Sequence, residues 1–149
     1  MRQPIQVAIY CFRQNDNERE FLLLHRIPSG GGFWQGVTGG VEDDEDCHTA
    51  ASRELKEETG FTPASLEQVD YSYSFPVPHD MRKLYEQPVD MIDETVFVAE
   101  IDGQTEPVLD PIEHDAWKWC TYEVALQKLY WPGNRESLKH CREYLQTRK

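Results

Sequence analysis

The chain has 149 residues, of which 39% are apolar and 11% aromatic, and this suits one compact domain over residues 1–149. Its formal net charge of −12 argues against binding a nucleic-acid duplex, which requires a basic face. No run of about 18 apolar residues and no signal-peptide pattern occurs, so we expect no membrane span and a cytoplasmic location.

The N-terminal part of the chain predicts a β-hairpin. Residues 6–12 and 21–24 are rich in apolar and β-branched residues, as is typical of strands, and the polar run 13–20 between them predicts the turn. A flexible glycine-rich loop is expected at 28–32, after which the chain returns toward the sheet at 33–37.

A helix is predicted next, from about Cys47 to Thr59. Asp46 is a residue type that favours the N-cap, and Gly60 stands where a left-handed residue is expected after the helix. The helix is therefore bounded by a specific residue at each end.

The second half of the chain predicts further strands and helices. In chain order these are strands 66–75, 94–101 and 117–120, a helix from Thr121 to about residue 129, and a helix from Asn134 to about residue 146. Residues 80–93 form a long connection, and we hypothesise that this segment, with Tyr85, is a mobile lid.

Trp117 and Trp119 are assigned to opposite faces of their strand. Strands that interleave with helices predict an α/β or α+β fold.

The predicted helix from Cys47 carries an unusual group of acids. Glu54, Glu57 and Glu58 are spaced three and four residues apart, so their carboxylates project from one side of the helix. Like charges at this spacing destabilise a helix, and a hard divalent cation such as Mg²⁺ or Mn²⁺ would compensate them. Such a cation would also allow an acidic protein to bind a phosphate chain. The alternative is a solvated acidic face without a ligand.

The spacing of these residues resembles the Nudix family box, G-x5-E-x7-R-E-U-x-E-E-x-G-U, in which U is apolar. The sequence has Gly39, Glu45, the run Arg53-Glu54-Leu55 and the run 57–61, so that every fixed position matches over 23 residues. Asp44 departs from the glycine that often precedes the first glutamate, at a variable position.

The resemblance implies a fold, a metal site and a reaction. The fold would be an α/β/α sandwich with a mixed β-sheet, in which the box forms a loop–helix–loop. The implied metal ligands for Mg²⁺ or Mn²⁺ are Glu54, Glu57 and Glu58, with the Gly39 carbonyl as a further candidate. Arg53 would orient the glutamates, and Glu45 would hold Arg53. A metal-activated water would attack a phosphorus of the substrate and so hydrolyse a pyrophosphate linkage.

Outside the box, segments 33–39, 112–119 and 131–135 resemble dihydroneopterin triphosphate pyrophosphatases. This resemblance implies a nucleoside or pterin triphosphate as substrate, and a monophosphate and pyrophosphate as products. The general base stays open between Glu54 or Glu57 and an acid outside the box, Glu113, in a predicted loop. The candidate substrate-binding residues are Arg26, Phe33, Trp34, Gln35 and Arg135.

Several alternatives stay open at this point. Pro76 lies fifteen residues after Phe61, and a proline near this position is typical of the ADP-ribose hydrolases of this family. Dinucleoside polyphosphates are a further substrate class. A non-catalytic nucleotide sensor and a structural Ca²⁺ domain are the alternatives to an enzyme. The partner we expect is a small nucleotide-like diphosphate or triphosphate, with neither a nucleic-acid duplex nor a membrane, and a homodimer stays open.

Overall fold

The structure is a computed structural model that describes residues 1–86, 88–103 and 105–148. Its strands within these residues are β1 Arg2–Asn15, β2 Glu18–Arg26, β3 Trp34–Gln35, β4 Val37–Glu42, β5 Ser65–Pro76, β6 Met91–Glu100 and β7 His114–Thr121. Its α-helices are α1 Cys47–Thr59, α2 Tyr122–Lys128 and α3 Pro132–Thr147. Two short 3₁₀ helices lie at Pro28–Gly30 and His79–Leu84. The helix that the sequence predicts at Cys47–Thr59 has the predicted bounds.

The long strand β1 organises the sheet. It pairs antiparallel with β4 along one edge and parallel with β6 along the other, and its last residues form a hairpin with β2. The strands β5, β3 and β7 extend the sheet by antiparallel pairing. The sheet is therefore mixed, as the resemblance implied.

Side chains of β1 alternate between two cores. Val7 and Ile9 pack in a cluster that contains Leu55 of α1, whereas Ala8 and Tyr10 pack in a second cluster that contains residues of α2 and α3. Successive residues of a strand point to opposite faces, so α1 covers one face of the sheet and the other two helices cover the opposite face. This arrangement confirms the predicted α/β/α sandwich.

The ends of α1 follow from its sequence. The Asp46 carboxylate accepts a hydrogen bond of 2.7 Å from the Thr49 N–H, and Gly60 adopts a φ of 77° while its N–H donates to the Lys56 carbonyl. These are the side-chain N-cap and the left-handed C-terminal residue that the sequence predicts. The caps fix where the helix begins and ends, and the packing of Ala50, Ala51 and Leu55 on the sheet fixes which side carries the acids.

Other expectations need correction or stay untested. Trp117 and Trp119 both pack on the cluster that α1 covers, so their assignment to opposite faces is wrong, because residues two apart on a strand share a face. In the predicted connection 80–93, Tyr85 is buried and packs with Val77 and Ile92, while Gln87 lies outside the described residues. The lid hypothesis stays a prediction.

None of the described helices is both long enough and apolar enough to cross a membrane.

Candidate metal centre and substrate cavity

Arg53 is held at the centre of the box by charged and backbone groups. Its Nε and Nη2 donate to the two carboxylate oxygens of Glu45 at 2.7 and 2.8 Å, and Nη2 also donates to the Gly40 carbonyl at 3.0 Å. Its Nη1 donates to Glu54 at 2.8 Å and to Glu57 at 3.4 Å. The hydrogen bonds from Arg53 lower the pKa of Glu45. The guanidinium therefore connects the loop at Glu45 to two of the acids on α1.

Gly39 lets the Glu54 side chain approach β4 closely. A Cβ atom at residue 39 would lie 2.0 Å from the Glu54 Cδ and 2.4 Å from its Oε1. Non-bonded atoms do not approach one another so closely, so any residue larger than glycine at position 39 would displace the Glu54 carboxylate. Arg53 and Gly39 thus hold this carboxylate from two sides.

Glu58 is the buried acid of the group. Its residue is only 2% exposed, and its Oε2 has no hydrogen-bond partner among the described residues. Burial, followed by the neighbouring Glu54 carboxylate, raises the pKa of Glu58 to about 10. A buried carboxylate without a partner is costly, and a divalent cation that takes oxygen ligands would compensate it.

His114 lies beside Glu58 and is not an exposed loop residue. It is the first residue of β7 and is buried, with its Nδ1 3.8 Å from the Glu58 Oε1 and its Nε2 3.1 Å from the Gln35 Nε2. Burial lowers the pKa of His114 to about 4, so the ring is neutral near pH 7. Ligand atoms of Glu58, Glu113 and His114 all lie within 4.8 Å of one another, and this group can hold a metal ion.

A cavity of about 1040 Å³ opens in front of the box. Six acids and three arginines are among its lining residues, namely Glu42, Glu54, Glu57, Asp80, Glu94 and Glu113 against Arg2, Arg26 and Arg53. This excess of negative charge would repel a phosphate chain unless cations were bound. The donor set and the charge of the cavity therefore fit a hard divalent cation shared with a phosphate-containing ligand.

A second part of the cavity lining, which we call the ring end, is aromatic and polar. Phe33 and Trp131 line it, with ring centroids 5.7 Å apart. Its polar lining includes the buried Glu94, which accepts hydrogen bonds from the Gln6 amide at 2.6 Å and the Tyr73 hydroxyl at 2.8 Å. The cavity therefore joins an acidic end, formed by the box, to an end suited to a planar ring.

The comparisons with known proteins agree with this geometry. A family model described as NUDIX domain matches residues 4–141. The chain belongs to the Nudix family. As a Nudix hydrolase, it is an enzyme that hydrolyses a pyrophosphate linkage.

Individual relatives of this Nudix hydrolase have different names. The chain is 27% identical over 142 residues to the dihydroneopterin triphosphate diphosphatase of Escherichia coli strain K12, covering 93% of this chain and 91% of that protein. It is 34% identical over 135 residues to the octanoyltransferase of Myxococcus xanthus, covering 91% of this chain but 36% of that relative, so it spans about a third of that protein. A solved structure assigned as a NUDIX hydrolase from Listeria monocytogenes has a TM-score of 0.83 and 28% identity, with 97% of this chain and 95% of that chain covered.

The structure brings most of the predicted site residues of the Nudix hydrolase together. Among the predicted metal and catalytic residues, the cavity lining contains Gly39, Arg53, Glu54, Glu57 and Glu113. Glu45 lies behind Arg53, and Glu58 lies beneath the lining, next to Glu113 and His114. Their catalytic and metal-binding roles stay predictions.

The predicted substrate-binding residues divide into two groups. Arg26, Phe33 and Gln35 line the cavity. Trp34 does not, because it packs on the cluster beneath α2 and α3, against His25 and Lys128. Arg135 also lies outside the lining, since its Nη1 donates to the Leu129 and Tyr130 carbonyls, both at 2.9 Å.

Sequence reasoning missed the polar residues at the aromatic end of the cavity. These residues are Gln6, Tyr73, Glu94 and Asn134, together with Arg2 near the box. One signal was present: Glu94 shares its strand face with Val96 and Val98, so an acid stands in line with core residues. Acids are rarely placed at such positions without a partner or a function.

Proposed function

We propose that this Nudix hydrolase cleaves a nucleoside or pterin triphosphate to the monophosphate and pyrophosphate. The observation that supports the proposal is that one cavity is lined both by acids of the box and by the exposed aromatic ring of Trp131. A triphosphate chain and a planar ring are the two parts of a ligand that such a cavity fits.

Glu54, Glu57 and Glu58, with the Gly39 carbonyl, would hold Mg²⁺ or Mn²⁺. When bound, such a cation neutralises phosphate charge and lowers the pKa of a bound water. The chain's own contribution is to fix these ligands. Arg53 holds Glu54 and Glu57, while Arg26 and Arg2, which line the same cavity, would contact phosphate oxygens.

The reaction that we propose is a hydrolysis with balanced atoms. The oxygen of water forms a bond to phosphorus, the bridging P–O bond between the α- and β-phosphates breaks, and pyrophosphate leaves. The proton of the attacking water passes to one of the cavity carboxylates, for which Glu54, Glu57 and Glu113 are the candidates.

A second candidate substrate is ADP-ribose. The observation that favours it is Pro76, which ends β5 and lines the cavity. Both ADP-ribose and a triphosphate contain a diphosphate linkage, so the box would act on either in the same way. The ring end of the cavity and the length of the bound ligand would decide between them.

A substrate panel tests the proposal. Dihydroneopterin triphosphate, nucleoside triphosphates, ADP-ribose and dinucleoside polyphosphates are incubated with the enzyme and Mg²⁺, and the products are separated and identified. We expect monophosphate and pyrophosphate from the triphosphates. AMP and ribose phosphate from ADP-ribose alone would favour the second candidate, and tight nucleotide binding without any product would indicate a sensor.

A further inference from the structure

Glu94 is a buried acid in the substrate cavity that the hydrolysis does not use. Its residue is 1% exposed and lies on β6, where Val96 and Val98 continue the same face into the core. A carboxylate at such a position costs free energy unless its hydrogen-bonding capacity is used. Because Glu94 also lines the cavity, its free capacity faces the place where a ligand would lie.

The groups around Glu94 hold its carboxylate as a hydrogen-bond acceptor. Gln6 lies opposite it on the parallel neighbour β1, and Tyr73 lies opposite it on the antiparallel neighbour β5. The Gln6 amide donates to Oε2 and the Tyr73 hydroxyl donates to Oε1. An ionised carboxylate has about four lone-pair sites, so two donors leave about two acceptor sites for a ligand.

The position of Tyr73 is itself fixed by α3. The Asn134 Nδ2 lies 3.5 Å from the Tyr73 hydroxyl oxygen, and a Cβ atom on Gly133 would lie 2.9 Å from the Tyr73 ring. Glycine at 133 therefore allows the ring to pack tightly against the start of the helix. Glu94 consequently has an orientation that is set before any ligand binds.

Aromatic side chains flank the same end of the cavity. Phe33 and Trp131 line it, and Tyr130 packs edge-on against Trp131 with ring centroids 4.9 Å apart. Tyr130 is 64% exposed and Trp131 is 48% exposed, which is uncommon for residues of this size. Exposed aromatic rings at a cavity rim favour stacking on a planar heterocycle.

We propose that Glu94 selects a 2-amino-4-oxopyrimidine ring, the edge shared by guanine and pterin; this inference rests on the proposed function of the cavity. That edge presents a ring N–H beside an exocyclic amino group, two parallel donors that match the two oxygens of a carboxylate. Adenine instead presents a ring nitrogen acceptor beside its amino group, and hypoxanthine lacks the amino group. Glu94 is a specificity-determining residue of the enzyme.

The test measures ring selection separately from hydrolysis. The affinities of GMP, IMP and AMP for the full-length protein are measured by calorimetry without a divalent cation, for the wild type, for Glu94→Gln and for the matched control Glu100→Gln. Glu100 lies on the same strand but outside the cavity lining, where it contacts Arg148. In parallel, kcat/KM is measured with Mg²⁺ for GTP, dihydroneopterin triphosphate and ITP.

We expect the wild type and Glu100→Gln to bind GMP at least about fivefold more tightly than IMP, the lower end of the discrimination that a bidentate contact gives. AMP should bind more weakly than IMP. Glu94→Gln should remove the preference for GMP over IMP, and should lower kcat/KM for both GTP and dihydroneopterin triphosphate relative to ITP. Whichever of GTP and dihydroneopterin triphosphate has the higher kcat/KM with the wild type shows whether the recognised ring is guanine or pterin.

Equal affinity of the wild type for GMP and IMP would overturn the inference, even if Glu94→Gln did not fold. A Glu94→Gln variant that folds and keeps the wild-type preference would also overturn it. A preference for GMP that depends on Glu94, in a protein that hydrolyses no triphosphate, would support the inference while the proposed function fails. Hydrolysis of triphosphates without any ring preference would support the proposed function and overturn this inference.

Discussion

The two ends of the cavity are built in different ways. Most of the acidic end comes from one continuous stretch, from Gly39 on β4 to Glu58 on α1, and Arg53 connects its parts, while Glu113 joins it from the segment before β7. The ring end collects Gln6, Tyr73, Glu94 and Asn134, with Phe33 and Trp131, from β1, β5, β6, α3 and their connections. The chemistry of the first end is local in sequence, whereas the recognition at the second end depends on strand order and on how α3 packs.

This difference predicts that substitutions at the two ends have separable effects. A residue of the acidic end should change the rate for all ring types alike, because the phosphate chain is the same in each. A residue of the ring end should change the ratio between rings. A variant at one end that changed both the common rate and the ratio between rings would contradict this separation.

Glu57→Gln should give the largest effect. The Glu57 side chain is 58% exposed and its closest charged contact is Arg53 at 3.4 Å, so the fold should tolerate the substitution. A bound metal ion contributes several kcal/mol of transition-state charge stabilisation, so weakening its ligand set should cost about 10²–10³-fold in rate. We expect that loss in kcat/KM for both GTP and ITP, measured by pyrophosphate release. The control Glu123→Gln, an exposed acid on α2, should keep wild-type activity.

Arg53→Lys should give a smaller loss. A lysine cannot donate at once to both Glu45 oxygens, to the Gly40 carbonyl and to Glu54, as the guanidinium does. Substitutions of groups that orient metal ligands cost about 10- to 100-fold in affinity or activity. We expect the Mg²⁺ concentration for half-maximal rate to rise by such a factor. An unchanged Mg²⁺ dependence, compared with the exposed control Arg82→Lys, would show that Arg53 does not position the ligands.

Phe33→Ala should act at the ring end. Stacking of an aromatic side chain on a base contributes about 1–3 kcal/mol, so KM should rise by about tenfold, with a smaller change in kcat. The control is Trp34→Phe, because Trp34 packs on the core side and lies outside the cavity lining. A control that raised KM as much as Phe33→Ala would contradict the assignment of the stacking face.

The smallest effect concerns stability and pH. Burial raises the pKa of Glu94 above its ordinary value, whereas the hydrogen bonds from Tyr73 and Gln6 lower it. The folded protein thus binds this proton more tightly than the unfolded chain, so the contribution of Glu94 is fully present below the unfolded pKa. That contribution is lost as the pH rises through the folded pKa. The free energy of unfolding of the wild type minus that of Glu94→Gln should therefore decrease from acidic toward neutral pH, as measured by urea titrations. A difference that grew with pH would contradict the direction.

The placement of the acids on α1 was predictable from the sequence for a physical reason. The spacing of Glu54, Glu57 and Glu58 fixes their common side once a helix forms, and Asp46 and Gly60 fix the bounds of that helix. These relations are local, so no knowledge of the tertiary structure was needed. The alternation of strands and helices predicted only an α/β or α+β class, and the α/β/α arrangement was what the resemblance implied.

The ring end was not predictable in the same way. The contact of Glu94 with Gln6 depends on the parallel pairing of β1 with β6, which spans 88 residues, and no local pattern specifies it. The strand predicted at 117–120 begins earlier, at His114, and this residue is buried beside Glu58. Arg135 was a candidate substrate-binding residue, but its guanidinium donates to the Leu129 and Tyr130 carbonyls, just after α2.

The most direct test of the two-ended cavity is a double-mutant cycle. kcat/KM is measured for GTP and ITP with the wild type, Glu57→Gln, Glu94→Gln and the double variant. We predict that Glu57→Gln lowers both rates and keeps their ratio, that Glu94→Gln removes the preference for GTP, and that the double variant combines the two effects. The division of the cavity into two ends would be contradicted if Glu57→Gln changed the ratio of kcat/KM for GTP to that for ITP as much as Glu94→Gln does. It would also be contradicted if Glu94→Gln left this ratio at its wild-type value.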